Sequence, residues 1–337
     1  MNFFLHRILA ILLLFLLLSP DIGALAAEAP PIRVTDLRGQ ELVFRQPVRR
    51  VVCLIESALS GIFMLGQGER VVGLASNVYQ EPLFRYYAAL DDRIRRREVP
   101  APGTWDFVSL EGVMALKPDV VILWSQQTEV IAALEEQGIP VFGVFINSRQ
   151  DVDREILALG AMLGVPERAA QVVAFVHQQV AKIMAPVAQI PWEQRPTVYF
   201  MWAQSNLETS GGPSMVNDLI TLAGGRNVCG QLPQEHLQVS LEQILLWNPQ
   251  VIIMWHNPRL QPQEILADEQ WRLVAAVQNR RVHQLPPVFL ADLWTLKYLL
   301  AVQQVAVWLH PERFADLDIE KERQRIFLEL YGVIFKD

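Results

Sequence analysis

Tryptophan recurs in this chain where apolar runs end. Trp124 closes Val-Val-Ile-Leu, Trp202 follows Thr-Val-Tyr-Phe-Met, and Trp255 closes Val-Ile-Ile-Met with His256 beside it. Indole has a broad apolar face and a single N–H donor, chemistry suited to a large planar ligand. The same side chain also caps a buried sheet, so Trp105, Trp124, Trp202 and Trp255 each carry both readings. Segments flanking other apolar runs add Glu56, Ser57, Tyr79, Ser210, Gly211 and Phe289 as candidates for a ligand surface. The glycines of Ser-Gly-Gly-Pro-Ser (210–214) let backbone approach a ligand or simply make a turn. Arg85 and the charge run at 91–97 offer partners to an anion, or form a solvated face. His256 presents an imidazole lone pair. His236, His283 and His310 have no metal-ligand spacing to one another, so a bare zinc or manganese site is not expected.

The same inventory argues against other chemistries. A hydrolase needs a nucleophile and a base, yet there is no Gly-x-Ser-x-Gly turn and no evident His–Asp pair. Gly66-Gln67-Gly68 lacks the third glycine of a dinucleotide turn, and 210–214 lacks the Lys-Ser/Thr of a P-loop. A formal charge of -7 disfavours a nucleic-acid surface. Two cysteines, Cys53 and Cys229, cannot build a disulfide scaffold, and their expected placement in different halves argues against a bridge. The expectation is a binding protein, with an exported α/β hydrolase as the rival.

The elements that would position these residues repeat. Val-Ser-Leu-Glu-Gly-Val-Met-Ala-Leu-Lys-Pro-Asp-Val-Val-Ile-Leu-Trp (108–124) aligns without a gap to Val-Ser-Leu-Glu-Gln-Ile-Leu-Leu-Trp-Asn-Pro-Gln-Val-Ile-Ile-Met-Trp (239–255). In each copy a serine caps a helix, a glutamate (Glu111, Glu242) sits in the first turn where the helix dipole favours it, and a proline precedes a buried strand. Gln243 is placed to complete a capping box with Ser240. Further strands are expected at 50–55, 71–74, 139–144, 197–201 and 281–284, with helices at 57–65 and 215–223. Alternating strands and helices predict α/β lobes with mainly parallel central sheets. Between them, 151–163 has helical spacing. Pro166 then opens a helix to about residue 189, roughly 36 Å long. The expected organisation is a lobe at 32–150, a helical connector at 151–190, and a second lobe at 191–337. Ligands of open parallel sheets bind beyond the strands' carboxyl ends, which places a cleft between the lobes.

Residues 1–26 read as a cleavable export signal. His6 and Arg7 precede an apolar run over 8–18, too short to span a bilayer, and Ala24-Leu25-Ala26 offers the small-x-small exit. The mature protein is therefore expected in the periplasm.

The order and spacing of 50–76, 107–124, 209–228, 239–255 and 271–286, with the long connector, resemble the substrate-binding proteins of ABC importers. More narrowly, the chain looks like the class that carries ferric siderophores, haem and cobalamin. The resemblance implies two lobes joined by a single long helix (the class III periplasmic-binding-protein fold) and no intrinsic cofactor. It also implies a metal chelate as ligand, and an ABC permease dimer with a cytoplasmic ATPase as partner of a monomeric chain. By position, Glu111 and Glu242 correspond to the glutamates that dock on permease arginines. A metal enclosed in a chelator needs no protein ligand, and His256 becomes a candidate axial ligand to haem iron or corrinoid cobalt.

Overall fold

The repeat persists in three dimensions as two sheets of identical topology. The computed structural model describes residues 30–335; the expected export signal lies outside the described residues. An antiparallel hairpin, β1 (Ile32–Thr35) and β2 (Glu41–Phe44), comes first. The first lobe then holds β3 (Val51–Cys53), β4 (Val71–Leu74), β5 (Val120–Trp124) and β6 (Val141–Val144), ordered β4-β3-β5-β6 and all parallel. The second lobe holds β7 (Thr197–Met201), β8 (Glu208–Thr209), β9 (Arg226–Asn227), β10 (Leu237–Gln238), β11 (Val251–Met254) and β12 (Val282–Gln284). Its main sheet runs β12-β11-β7-β9, again all parallel, while β8 and β10 form a small antiparallel ribbon. Each sheet thus reads second, first, third, fourth strand in chain order. The switch point falls between β3 and β5 in one lobe and between β7 and β11 in the other.

The equivalence reaches single hydrogen bonds. Lys117 and Asn248 sit at matching positions just before proline, with φ of 46° and 44°, so a left-handed residue ends each repeated helix. Next to them, the Asp119 carboxylate accepts from the N–H groups of Arg49 and Arg50, and the Gln250 amide oxygen accepts from Thr197 N–H. Each fastens the third strand of its lobe to the start of the first. The Ser240 hydroxyl accepts from Gln243 N–H at 3.2 Å. The Ser240 hydroxyl also donates to the Glu242 carboxylate, and the expected capping box with Gln243 is not formed.

Alternation along the strands sorts the core. Val51, Cys53, Val198 and Phe200 face one continuous hydrophobic core shared with the connector helices and the C-terminal helices. Val52 and Val121 face a separate outer layer in the first lobe, and Tyr199 and Ile252 another in the second. The connector consists of helices Arg149–Met162 and Pro166–Val187. The second has 22 residues, about 33 Å of rise. The first crosses helix Glu56–Met64 closely at Gly61, where an added Cβ would meet Ile156 at 2.8 Å. Because both lobes share this core, residues from Ile32 onward pack as one unit. Cys53 and Cys229 are buried, unbridged, and in different lobes.

Candidate functional site

A cleft of about 310 Å³ opens between the lobes. From the first lobe it is lined by Glu56, Asn77 and the turn Gln80–Leu83; from the second by His256, Val288 and Phe289. Glu56 opens the helix that follows β3, and His256 follows β11, so both stand at the switch points where parallel sheets bind ligands. Three residues singled out in the sequence, Glu56, His256 and Phe289, come together here from positions far apart in the chain.

The lining is acidic and amide-rich. It holds two carboxyls (Glu56, Glu81), two amides and one imidazole, and neither arginine nor lysine. Asn77 Oδ1 is buried without a hydrogen-bond partner among the described residues. Burial pushes His256 below its ordinary range, against an opposing backbone hydrogen bond at Leu285. The ring is therefore neutral at pH 7 and keeps a lone pair.

Beside His256 stands an aromatic cluster built by the ends of β7 and β11. Trp202 stacks on His236 with centroids 4.5 Å apart and lies 5.7 Å from Trp255 and 6.3 Å from Trp294. Trp202 itself is buried and its Nε1 has no partner among the described residues, while Trp255 and Trp294 stay half-buried. His236 pairs with Glu208 at 2.9 Å. Nothing local ties His236 to these rings, because 34 positions separate it from Trp202 and the small β8–β10 ribbon brings it back.

Other expected candidates fall elsewhere. Ser57 is half-buried in the first turn after Glu56. Tyr79 adjoins the lining, but its hydroxyl donates to Val99 O at 2.6 Å and its ring carries the Arg97 guanidinium. Trp105 is 58% exposed. Trp124 packs edge-on against Phe145. Ser210 and Gly211 are buried, and a Cβ on Gly211 would stand 2.2 Å from Leu232 O, so the glycine makes room for the neighbouring backbone of 232–234, as the plain-turn alternative has it. The charge run resolves into local pairs, Arg93 with Asp91 and Arg96 with Glu98. One His–Asp pair does exist, contrary to expectation. His177 and Asp153 meet at 2.9 Å between the two connector helices, and neither lines the cleft. Among the described residues no three His, Cys, Asp or Glu side chains converge as a metal site.

Beneath the cleft floor lies a group of charges that the sequence reading missed. Phe289 is fully buried, and Lys297 Nζ sits 4.0 Å from its ring centroid. Asp292 and Glu155 are buried nearby. Burial pushes Glu155 up to about 8 and Asp292 up to about 7, each helped by a neighbouring carboxyl. Burial also lowers Lys297, which Glu56 and Asp292 partly restore. A signal existed. Glu155 falls on the apolar stripe of its helix, between Val152 and Leu159, and Asp292 and Lys297 interrupt the apolar stretch Phe-Leu-Ala-Asp-Leu-Trp-Thr-Leu-Lys-Tyr-Leu-Leu.

This burial carries a pH signature. Both carboxyls keep protons in the folded chain over a range where the unfolded chain has released them. Their contribution to stability is full below the ordinary carboxyl range and is lost as pH rises through about 7 and 8. Glu155→Gln should remove about one proton from that slope, at most about 1.4 kcal/mol per pH unit. Urea midpoints at mildly acidic and mildly alkaline pH measure it, and an unchanged slope would place the proton elsewhere.

Residues 51–288 match the family model described as periplasmic binding protein. The molybdate-binding protein MolA of Haemophilus influenzae is 27% identical, with 98% of each chain covered. Its molybdate-bound structure superposes with a TM-score of 0.77 at 23% identity, covering 90% of this chain and 99% of that one. The nickel–histidine complex of Helicobacter pylori CeuE gives 0.75 at 20% identity, covering 91% and 100%. With two lobes of repeated topology, a helical connector and a cleft at the facing switch points, the chain belongs to the periplasmic binding protein family, the solute-binding proteins of ABC importers.

Proposed function

We propose that the chain is an exported, monomeric solute-binding protein that holds a metal chelate of zero or positive net charge in the interlobe cleft. It would hand this chelate to an ABC permease dimer driven by a cytoplasmic ATPase. The observation that carries the reading is the lining itself, with two carboxyls, a neutral imidazole and no basic side chain. Molybdate is a dianion, and a lining that presents two carboxyls and no lysine or arginine opposes it. A ferric siderophore of the trihydroxamate type is uncharged at its metal, because three hydroxamates cancel the iron charge. A tris-catecholate complex is a trianion and fits poorly. Trp255 and Trp294 add apolar faces, and Asn77 Oδ1 and Trp202 Nε1 are an acceptor and a donor with no protein partner among the described residues. Cobalamin is the second reading, favoured by the neutral His256 as an axial ligand to cobalt. Haem brings two propionates and suits the lining less.

Glu111 and Glu242 are the proposed permease contacts. Both are exposed in the first turn of short helices, Leu110–Ala115 and Leu241–Trp247, on opposite lobes.

Native mass spectrometry and absorbance of protein purified from its own periplasm test the ligand. A ferric hydroxamate charge-transfer band is expected. A corrin spectrum would select the second reading, and retained molybdate alone would overturn both. Saturation with a ferric trihydroxamate should quench tryptophan fluorescence. Trp255→Phe should weaken affinity roughly three- to tenfold, the equivalent of ~0.5–1.5 kcal/mol of aromatic contact. Unchanged quenching and affinity in that variant would remove Trp255 from the ligand surface.

A further inference from the structure

Glu56 belongs to two places at once. It lines the cleft, and it is the outermost member of the charge group under the floor. Its Oε1 accepts from the Tyr87 hydroxyl at 2.5 Å. Its charge acts on Asp292 and Lys297, on the segment after Phe289, and the charge of Asp292 acts in turn on Glu155, on helix Arg149–Met162. Tyr331, bonded to Ser60 at 2.6 Å, and Cys53 at the end of β3 complete the ring of titratable groups. Two carboxyls, Glu56 and Asp292, therefore share one amine, and a third, Glu155, bears on Asp292. Glu155 Oε1 and Lys297 Nζ are both buried without a hydrogen-bond partner among the described residues, so no neighbouring donor or acceptor locks either charge state.

We propose that this quartet of Glu56, Glu155, Asp292 and Lys297 makes the cleft selective for metal complexes of net positive charge, and that taking one up expels a proton from it. The inference rests on the metal-chelate reading above and deepens it. Without a ligand, mutual repulsion of the carboxyls favours a retained proton. Burial works in the same direction, as the raised Asp292 and Glu155 show. A cation placed against Glu56 offsets that repulsion. The O–H bond of the Asp292 or Glu155 carboxyl breaks, its electron pair stays on the carboxylate oxygen, and the proton passes to solvent. Linkage makes the effect reciprocal: affinity for a cationic complex climbs with pH by up to about tenfold per unit, while affinity for a neutral complex stays flat. Glu155, Asp292 and Lys297 are positioning residues here, acting on the ligand through Glu56.

A matched pair of probes isolates the charge. Ferrioxamine B is a ferric trihydroxamate with one free ammonium, and N-acetylation of that amine leaves the same complex neutral. Calorimetry at neutral pH in buffers of different ionisation enthalpy counts protons released. We expect the cationic complex to release up to one and the neutral complex none. The double variant Glu155→Gln/Asp292→Asn should bind the cationic complex without release. Equal release for both complexes, or none for the cationic one, would overturn the proposal and leave the metal-chelate reading intact. Binding of molybdate but neither complex would overturn both. A ligand-free measurement stands beside these. A protonated-carboxyl C=O band should be present in the infrared spectrum at neutral pH and absent from the double variant, and its absence from the unaltered protein would also overturn the proposal.

Discussion

Reversing Glu111 and Glu242 together, E111R/E242R, is expected to abolish uptake while ligand affinity changes less than about twofold. Neither side chain lines the cleft, and both are exposed. Glu242 is held below its usual range by its own backbone N–H and by the Ser240 hydroxyl, so it is ionised at neutral pH. If the two glutamates meet permease arginines as proposed, each reversal replaces attraction by like-charge contact, which costs several kcal/mol at an interface. Taking ~3 kcal/mol per site, docking weakens roughly a hundredfold for one reversal and about ten-thousandfold for two. Single reversals should therefore leave measurable transport and the pair none. Folding is the control. Losing the dipole contact costs at most ~1 kcal/mol per helix, so the melting transition should barely move. Normal transport by the double variant would remove both residues from the interface. A large loss of ligand affinity would point to the cleft instead.

Much of the frame behind that prediction is legible in the sequence, because local physics dictates it. The strands at 71–74 and 197–201 fall where short apolar runs meet turn residues and proline, and the structure places them there. The repeat at 108–124 and 239–255 carries its serine caps, acids and prolines in register, and one alignment foretells two sheets. The cleft is harder. Glu56 and His256 were readable as residues just past strand ends. The turn Gln80–Leu83 was not, because nothing local distinguishes a loop that lines a cleft from one that faces solvent. Ser210 and Gly211 are ambiguous in the sequence, where the glycines suit a ligand or a turn; Gly211 lies against the backbone of 232–234, a contact that exists only after β8 pairs with β10. The buried quartet is the extreme case. Its members come from positions 56, 155, 292 and 297, and although three of them interrupt apolar patterns, nothing local says that they meet. Only the shared core, which folds the connector and the segment after β12 against the helix following β3, puts them together.

Phe289→Ala tests that assembly most severely. The ring stacks on Tyr86 with centroids 4.3 Å apart and planes 3° apart, meets Tyr87 edge-on at 5.4 Å and Phe335 at 5.3 Å, and lies 5.9 Å from Tyr331. It comes from the second lobe, whereas Tyr86 and Tyr87 lie on the first-lobe helix Leu83–Leu90. Truncation therefore opens a cavity at the seam between lobes, and Phe-to-Ala changes in cores cost about 3–5 kcal/mol. For a chain of this size that lowers the melting temperature by on the order of 5–10 °C. A second consequence separates this site from any other buried phenylalanine. The ring covers Lys297 Nζ, so its removal admits water to the ammonium and relieves the burial that depresses it. A charged Lys297 then stabilises the Asp292 carboxylate, which lessens the loss on the alkaline side, whereas relief of the Lys297 ammonium itself lessens it on the acidic side, so the loss should vary with pH. Phe289→Leu keeps most of the volume but neither the stack nor the cation–ring contact, so it should cost ~1.5–2.5 kcal/mol with part of the same pH dependence. Thermal unfolding of both variants at mildly acidic and mildly alkaline pH decides the matter. A loss for Phe289→Ala that does not vary with pH would mean that the ring only fills space, with no hold on the charge beneath it.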